Sequence, residues 1–249
     1  MKMFARMLLG VGAILTACGA AGEPAARGTT ARGTWPDGFV LRLEALALIE
    51  TLNADLLASR SATATLEEWC ADHRMAKEPK IVARRLGGAE KPASPETRRR
   101  LQLEDDDPVK YRRVQLVCGD HVLSEADNWY APGRLTEEMN RQLDETQTPF
   151  GKVVQPLHPS RRTFEAKLLW SPLPSGWETK APEIGAAAEP PVIPHALFAH
   201  RALLYAEDQR PISEVDETYL GGVLEFELAQ PQWSGMSDEN ASMTANSRP

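Results

Sequence analysis

The 249-residue chain predicts an α+β fold in one domain, with helices packed on one face of an antiparallel sheet. Two observations carry that prediction. Apolar residues recur every three or four positions near the start of the domain, and the second half alternates β-branched or aromatic runs with turn signals. There are no internal repeats.

Residues 1–20 read as an export leader. Lys2 and Arg6 precede an apolar run over 7–17 that is too short to span a bilayer. Leu15-Thr16-Ala17-Cys18 matches a bacterial lipobox, in which Cys18 would carry the lipid anchor. Plain cleavage within residues 17–21 and an uncleaved leader of a cytoplasmic protein are the alternatives. The expected location is therefore exported and periplasmic, with outer-membrane attachment if Cys18 is acylated. Residues 21–38 are rich in Ala, Gly and Thr and predict a flexible tether.

The domain is expected over 39–228. From 39 to 59, Leu43, Leu46, Ile49, Leu52, Leu56 and Leu57 mark an amphipathic helix, with Asn53 and Asp55 in its solvated stripe. Thr65 followed by Glu68 fits a capping box, so a second helix starts there. A strand follows over 80–86. Residues 91–107 hold two opposed charge runs, read as a solvated helix and loop without chemistry. Residues 111–118 make a strand ending at the Gly119-Asp120 turn, and a second hairpin strand follows it. Pro132 and Thr136 open a helix through Leu143, which Thr148-Pro149-Phe150-Gly151 breaks. Residues 153–157, 163–170, 196–206 and 212–220 read as further strands. Residues 171–194 form a long Pro/Gly/Ala-rich loop, and the polar stretch 229–249 a disordered tail.

Composition excludes some functions. A net charge of −7, with no basic stripe interleaved with aromatics, argues against nucleic acid as a partner. No Cys/His pattern suggests a metal. Cys70 and Cys118 could pair in an exported compartment, but their expected places in a helix and a core strand fit two buried free thiols at least as well.

The strand over 111–118 carries the first functional candidate. Side chains alternate, so Val114, Leu116 and Cys118 share a core face, and Tyr111, Arg113, Gln115 and Val117 share the other. The second face sets the Arg113 guanidinium among half-apolar neighbours, which suits holding an anion in a sheltered place. Arg112 points the opposite way.

The succession Leu-Glu-x-Trp, RRVQLVCGD, ADNWYAP, Thr-Pro-Phe-Gly, Arg-Arg-Thr-Phe and HRALLYAEDQRPISEVDETYL resembles that of chorismate–pyruvate lyase and its relatives over roughly residues 41–228. The resemblance implies a single domain with a six-stranded antiparallel sheet, helices on one face and a buried ligand pocket. It implies conversion of chorismate to 4-hydroxybenzoate and pyruvate, a step of ubiquinone biosynthesis, by a monomer without metal or organic cofactor. Relatives also include ligand-sensing domains with no catalysis.

Carried over residue by residue, the resemblance places the carboxylate grip on Arg113 and a backbone ligand contact on Phe150, with Gly151 beside it. A proline–glycine turn anchored by a core phenylalanine needs no ligand and explains Phe150 equally well. The catalytic carboxylate falls on Glu217, with Glu214 as the competitor if the hairpin gap is placed differently. Glu217 shares its face with Val215 and Tyr219, where burial would favour general acid/base work. A flap contact falls on Ala62, where the family has a larger side chain, which puts substrate identity in doubt. Arg162 is a candidate second grip or a surface arginine. Two functions follow: a cofactor-free lyase, or an exported non-catalytic module binding a small aromatic carboxylate.

Overall fold

The computed structural model describes residues 38–180 and 191–227. The expected leader with Cys18, nearly all of the tether, the tail over 229–249 and part of the long loop lie outside the described residues.

Six strands form one wholly antiparallel sheet: β1 (Ile81–Arg85), β2 (Lys110–Cys118), β3 (His121–Tyr130), β4 (Ser160–Leu168), β5 (Ala196–Tyr205) and β6 (Pro211–Leu220). Their spatial order is β1-β2-β3-β6-β5-β4. Helices α1 (Phe39–Ala58), α2 (Ala62–Asp72), α4 (Glu137–Glu145) and α5 (Phe150–Val153) cover its inner face. The helix α3 (Pro95–Arg100) lies against the outer face at β6. The chain is thus a single α+β domain with a six-stranded antiparallel sheet, the architecture its sequence predicts.

The predicted apolar stripe of α1 buries Ile49, Leu52 and Leu56 completely. Its partner stripe is less solvated than the polar composition suggests, because Asn53 Oδ1 lies 2.8 Å from Nε2 of the buried His200. The cap of helix α2 stands four residues before the expected one. Ser61, not Thr65, is the cap, its Oγ accepting the Ala64 N–H at 3.3 Å. Thr65 is buried within the helix and donates to the Ser61 carbonyl.

Cys70 of α2 and Cys118 of β2 form a disulfide rather than two free thiols. Both are fully buried. The indole of Trp69 donates to the Val223 carbonyl at 2.9 Å, so two adjacent residues moor the C-terminal part of α2.

Residues 153–157 are not a strand. They continue α5 into a 3-10 turn at Gln155–Leu157, which His158 ends at φ 45°. Pro156 has no N–H to give a sheet ladder, which favours this outcome. Strand β4 consequently begins at Ser160, three residues earlier than expected.

The charged segment 91–107 is also more than solvated loop. Ser94 caps α3, Pro95 opens it, and Arg100 reaches the sheet. Trp129 donates its indole N–H to the Lys91 carbonyl, and the Lys91 ammonium pairs with Asp127. The segment is a strap over the outer face.

One glycine is dictated by close backbone approach. A Cβ at Gly222 would stand 2.1 Å from the Val122 carbonyl oxygen, so the chain leaving β6 passes directly against the start of β3.

Candidate functional site

The inner faces of β2, β3 and β6, with the first turns of α2 and α5, enclose a cavity of about 60 Å³. That is room for roughly four to six waters, or for a carboxylate on a small body. Val114, Leu116, Ala126, Phe150, Leu204 and Val215 make it mostly apolar. Its charged lining residues are Arg60, Arg112, Arg161 and Glu217.

Arg112 is 3 % exposed, yet its Nε and Nη2 are buried without hydrogen-bond partners. Among the described residues it has no carboxylate partner. Burial chiefly pulls its pKa below the ordinary arginine value; the charge of Arg85 acts in the same direction, while Tyr130 and Asp144 oppose it. An unanswered guanidinium in an apolar enclosure is costly unless an anion completes it.

Arg161, on β4, donates from Nη2 to Glu217 Oε2 at 2.6 Å. Its Nε and Nη1 are also buried without partners. Burial works against its charge, but Glu217 and then Tyr219 outweigh burial and hold its pKa above the ordinary value. Tyr219 donates its hydroxyl to the same Glu217 oxygen at 3.1 Å. Burial first, and then Glu217, pushes that phenol well above its ordinary pKa, so it remains a donor.

Behind this group lies His200, the Cα partner of Glu217 across β5 and β6. The Asn53 amide oxygen accepts from His200 Nε2, which leaves Nδ1 buried and unpaired. Burial, then the nearby Arg161 charge, brings the His200 pKa down to about 4. The ring is neutral at ordinary pH.

The structure brings four sequence candidates to this cavity: Ala62, Phe150, Gly151 and Glu217. Phe150 packs against Tyr130 with ring centroids 5.5 Å apart. A Cβ at Gly151 would come within 3.1 Å of Thr63 Oγ1 and 3.3 Å of Ser61 Oγ. Glycine there lets α5 close on the start of α2, rather than clearing a path for ligand alone.

Arg113 is not in the cavity. It lies on the outer face, its side chain 45 % exposed, and donates to Glu125 at 3.2 Å. The half-polar face of β2 looks outward, and the core face continues through Leu116 and Val114 to Arg112. The alternation of β2 thus puts Arg113 on the face away from the cavity, and Arg112 on the face that lines it. Arg162 is exposed and lies 4.6 Å over the Tyr205 ring, so the cavity arginine of that strand is its neighbour Arg161. Sequence reasoning missed Arg161 because the strand was expected to begin at Thr163. The signal that could have found it is two-residue alternation extended back from Thr163.

Glu214, the competing carboxylate, is fully buried on the outer face. Arg100 grips it with Nε and Nη2, each at 2.8 Å, and Arg201 donates at 2.9 Å. Among the described residues no group of His, Cys, Asp and Glu could hold a metal ion, and no helix is long and apolar enough to cross a membrane.

No family model matches the chain. It is 47 % identical over 194 residues to the uncharacterized protein y4mC of Sinorhizobium fredii, covering 77 % of this chain and 81 % of that protein. Similar solved structures include the effector domain of PhnF from Mycobacterium smegmatis, at TM-score 0.40 and 13 % identity over 65 % of this chain and 88 % of that one. Another is the C-terminal domain of the histidine utilization repressor from Pseudomonas syringae pv. tomato, at TM-score 0.36 and 17 % identity over 61 % and 97 %. At these TM-scores the likenesses carry no argument about ligand or partner.

Proposed function

The chain belongs to the family of the Sinorhizobium fredii protein y4mC, and we propose that it binds a small organic carboxylate in the inner cavity. Arg112 takes the carboxylate as a planar fork, and Arg161 offers a second set of donors. The apolar walls favour an aromatic or alicyclic body. The observation that carries this reading is Arg112: a buried cation with two unpaired nitrogens and, among the described residues, no acidic partner. Calorimetry with 4-hydroxybenzoate and with neutral benzyl alcohol tests it. Heat of binding with the acid alone, lost in Arg112→Met, is expected. Equal binding of the alcohol, or unchanged affinity in Arg112→Met, overturns it.

A lyase acting on chorismate is the second reading, favoured by Glu217 lying in the same cavity as Arg112. Arg112 would hold the ring carboxylate, and Glu217 would handle the proton as the enolpyruvyl ether bond breaks and the ring becomes aromatic. Incubation with chorismate should then give 4-hydroxybenzoate and pyruvate, with product lost in Glu217→Gln. Folded protein giving no product leaves the binding module.

The chain also acts outside the cytoplasm in this reading, anchored through Cys18 if the lipobox is used. The Cys70–Cys118 disulfide supports an oxidising compartment. Fractionation, with the mass of the mature N-terminus, tests export and acylation together. An intact leader in the cytoplasmic fraction refutes both.

A further inference from the structure

Sorted by exposure, the lining of the inner cavity shows where a ligand enters. Arg60 is exposed, and Ser61, Gly151 and Pro159 are half-buried. Arg161 keeps its side chain only 2 % exposed, and the remaining lining residues are buried. The mouth therefore lies between the link joining α1 to α2, the first turn of α5 and the turn before β4.

The link that carries Arg60 is held in one shape. Ser59 Oγ donates to the Ser61 carbonyl at 3.1 Å and accepts the Ser61 N–H at 3.0 Å. Ser61 in turn caps α2, and α5 closes on it through Gly151. The backbone on either side of Arg60 is thus pinned at the rim, and the guanidinium stands in solvent above the mouth. Among the described residues Arg60 has no hydrogen bond or ion pair. Two cations are therefore unanswered on the way in, exposed Arg60 at the rim and buried Arg112 inside.

The two cations act differently on an anion. In water a guanidinium and a carboxylate attract weakly, so Arg60 adds little to the stability of a bound ligand. Arg112, in an apolar enclosure, gains far more from a partner. Approach is another matter. The chain as a whole is repulsive to anions, with a net charge of −7. Screening confines charge effects to about 8 Å at physiological salt, so an unpaired cation at the rim dominates the last part of the approach.

We propose that Arg60 is the capture residue of this site. It draws the ligand carboxylate to the mouth, from which the carboxylate passes to Arg112 inside. Arg60 speeds association and does not hold the bound ligand. The inference rests on the carboxylate-binding reading of the cavity.

Fluorine-19 line shapes of 3-fluoro-4-hydroxybenzoate, titrated against the whole chain, give kon and koff separately. Arg60 is exposed, so Arg60→Gln and Arg60→Glu should fold. At low salt kon should fall about threefold in Arg60→Gln and about tenfold in Arg60→Glu, with koff unchanged. At about 1 M salt, where the screening length is about 3 Å, the three proteins should associate at the same rate. Equal kon in all three at low salt overturns the proposal. So does a koff that rises while kon holds, because Arg60 would then grip the bound ligand. No binding to the unmodified chain refutes the first reading and this inference with it. Binding that is lost in Arg112→Met but indifferent to Arg60 refutes this inference alone.

Discussion

Arg161 and Glu217 are joined at 2.6 Å with side-chain exposures of only 2 % and 6 %. Among the described residues Glu217 is the only acid that lines the inner cavity, and its charge is spent on Arg161. Arg112 is left as a buried cation without a carboxylate partner among the described residues. The proposed carboxylate grip at Arg112 and the buried ion pair at Arg161 are therefore separable.

Replacing Arg112 with methionine should abolish carboxylate binding without destabilising the domain. The substitution removes a desolvated, unpaired charge and keeps the volume, so denaturant melts should show no loss, or a gain of about 1–2 kcal/mol. Arg113→Ala, by contrast, breaks an exposed pair and should cost no more than about 1 kcal/mol while leaving binding intact.

Glu217→Ala should behave in the opposite way. It leaves the Arg161 guanidinium buried without a counter-charge, at a cost of about 3–5 kcal/mol. Adding Arg161→Met to it should restore much of that stability. Additive losses in the double variant would show that the pair is not coupled.

On the outer face, Glu214→Gln should lower stability by about 3 kcal/mol, because Arg100 and Arg201 lose their shared acceptor. Ligand affinity should be unchanged. Faster hydrogen exchange in α3, with the inner helices unaffected, would locate the damage at the strap.

His200 makes stability depend on pH. Its folded pKa, about 4, lies below the unfolded value of about 6.5, so the unfolded chain binds the extra proton first. The stability due to the neutral ring is complete above about pH 6.5 and is lost as pH falls towards 4, an effect of about 2–3 kcal/mol. His200→Gln should flatten urea-melt midpoints across this window. An unchanged slope would assign the acid sensitivity to other groups.

Much of the fold was legible because each long element announces itself locally. The apolar recurrence from Leu43 to Leu56 makes α1, and the Gly119 turn, at φ 56°, makes the β2–β3 hairpin. Residues 153–157 were misread because a short apolar run suits strand and helix alike, and only the docking of α5 beside α2 decides between them. The cavity was legible through Glu217, Phe150 and Ala62, whose spacing matched a known succession. Arg161 and the exclusion of Arg113 were not legible, because they depend on which face of the sheet the helices choose. The strap was hidden for a similar reason. Arg98-Arg99-Arg100 looks like solvated charge until the buried Glu214, more than a hundred residues on, supplies the acceptor for its last member.

Glu214 and Glu217 are three residues apart on β6, an odd interval, so the pleat sends them to opposite sides of the sheet. A single inserted or deleted residue between Pro211 and Glu214 that slips the rest of the strand would exchange the faces. Glu217 would turn towards the strap, Asp216 and Thr218 would enter the cavity, and Arg161 and Arg100 would both lose their acceptors at once. Evolution can therefore vary the side chains of this strand, but not its length, without dismantling two charge systems in one step.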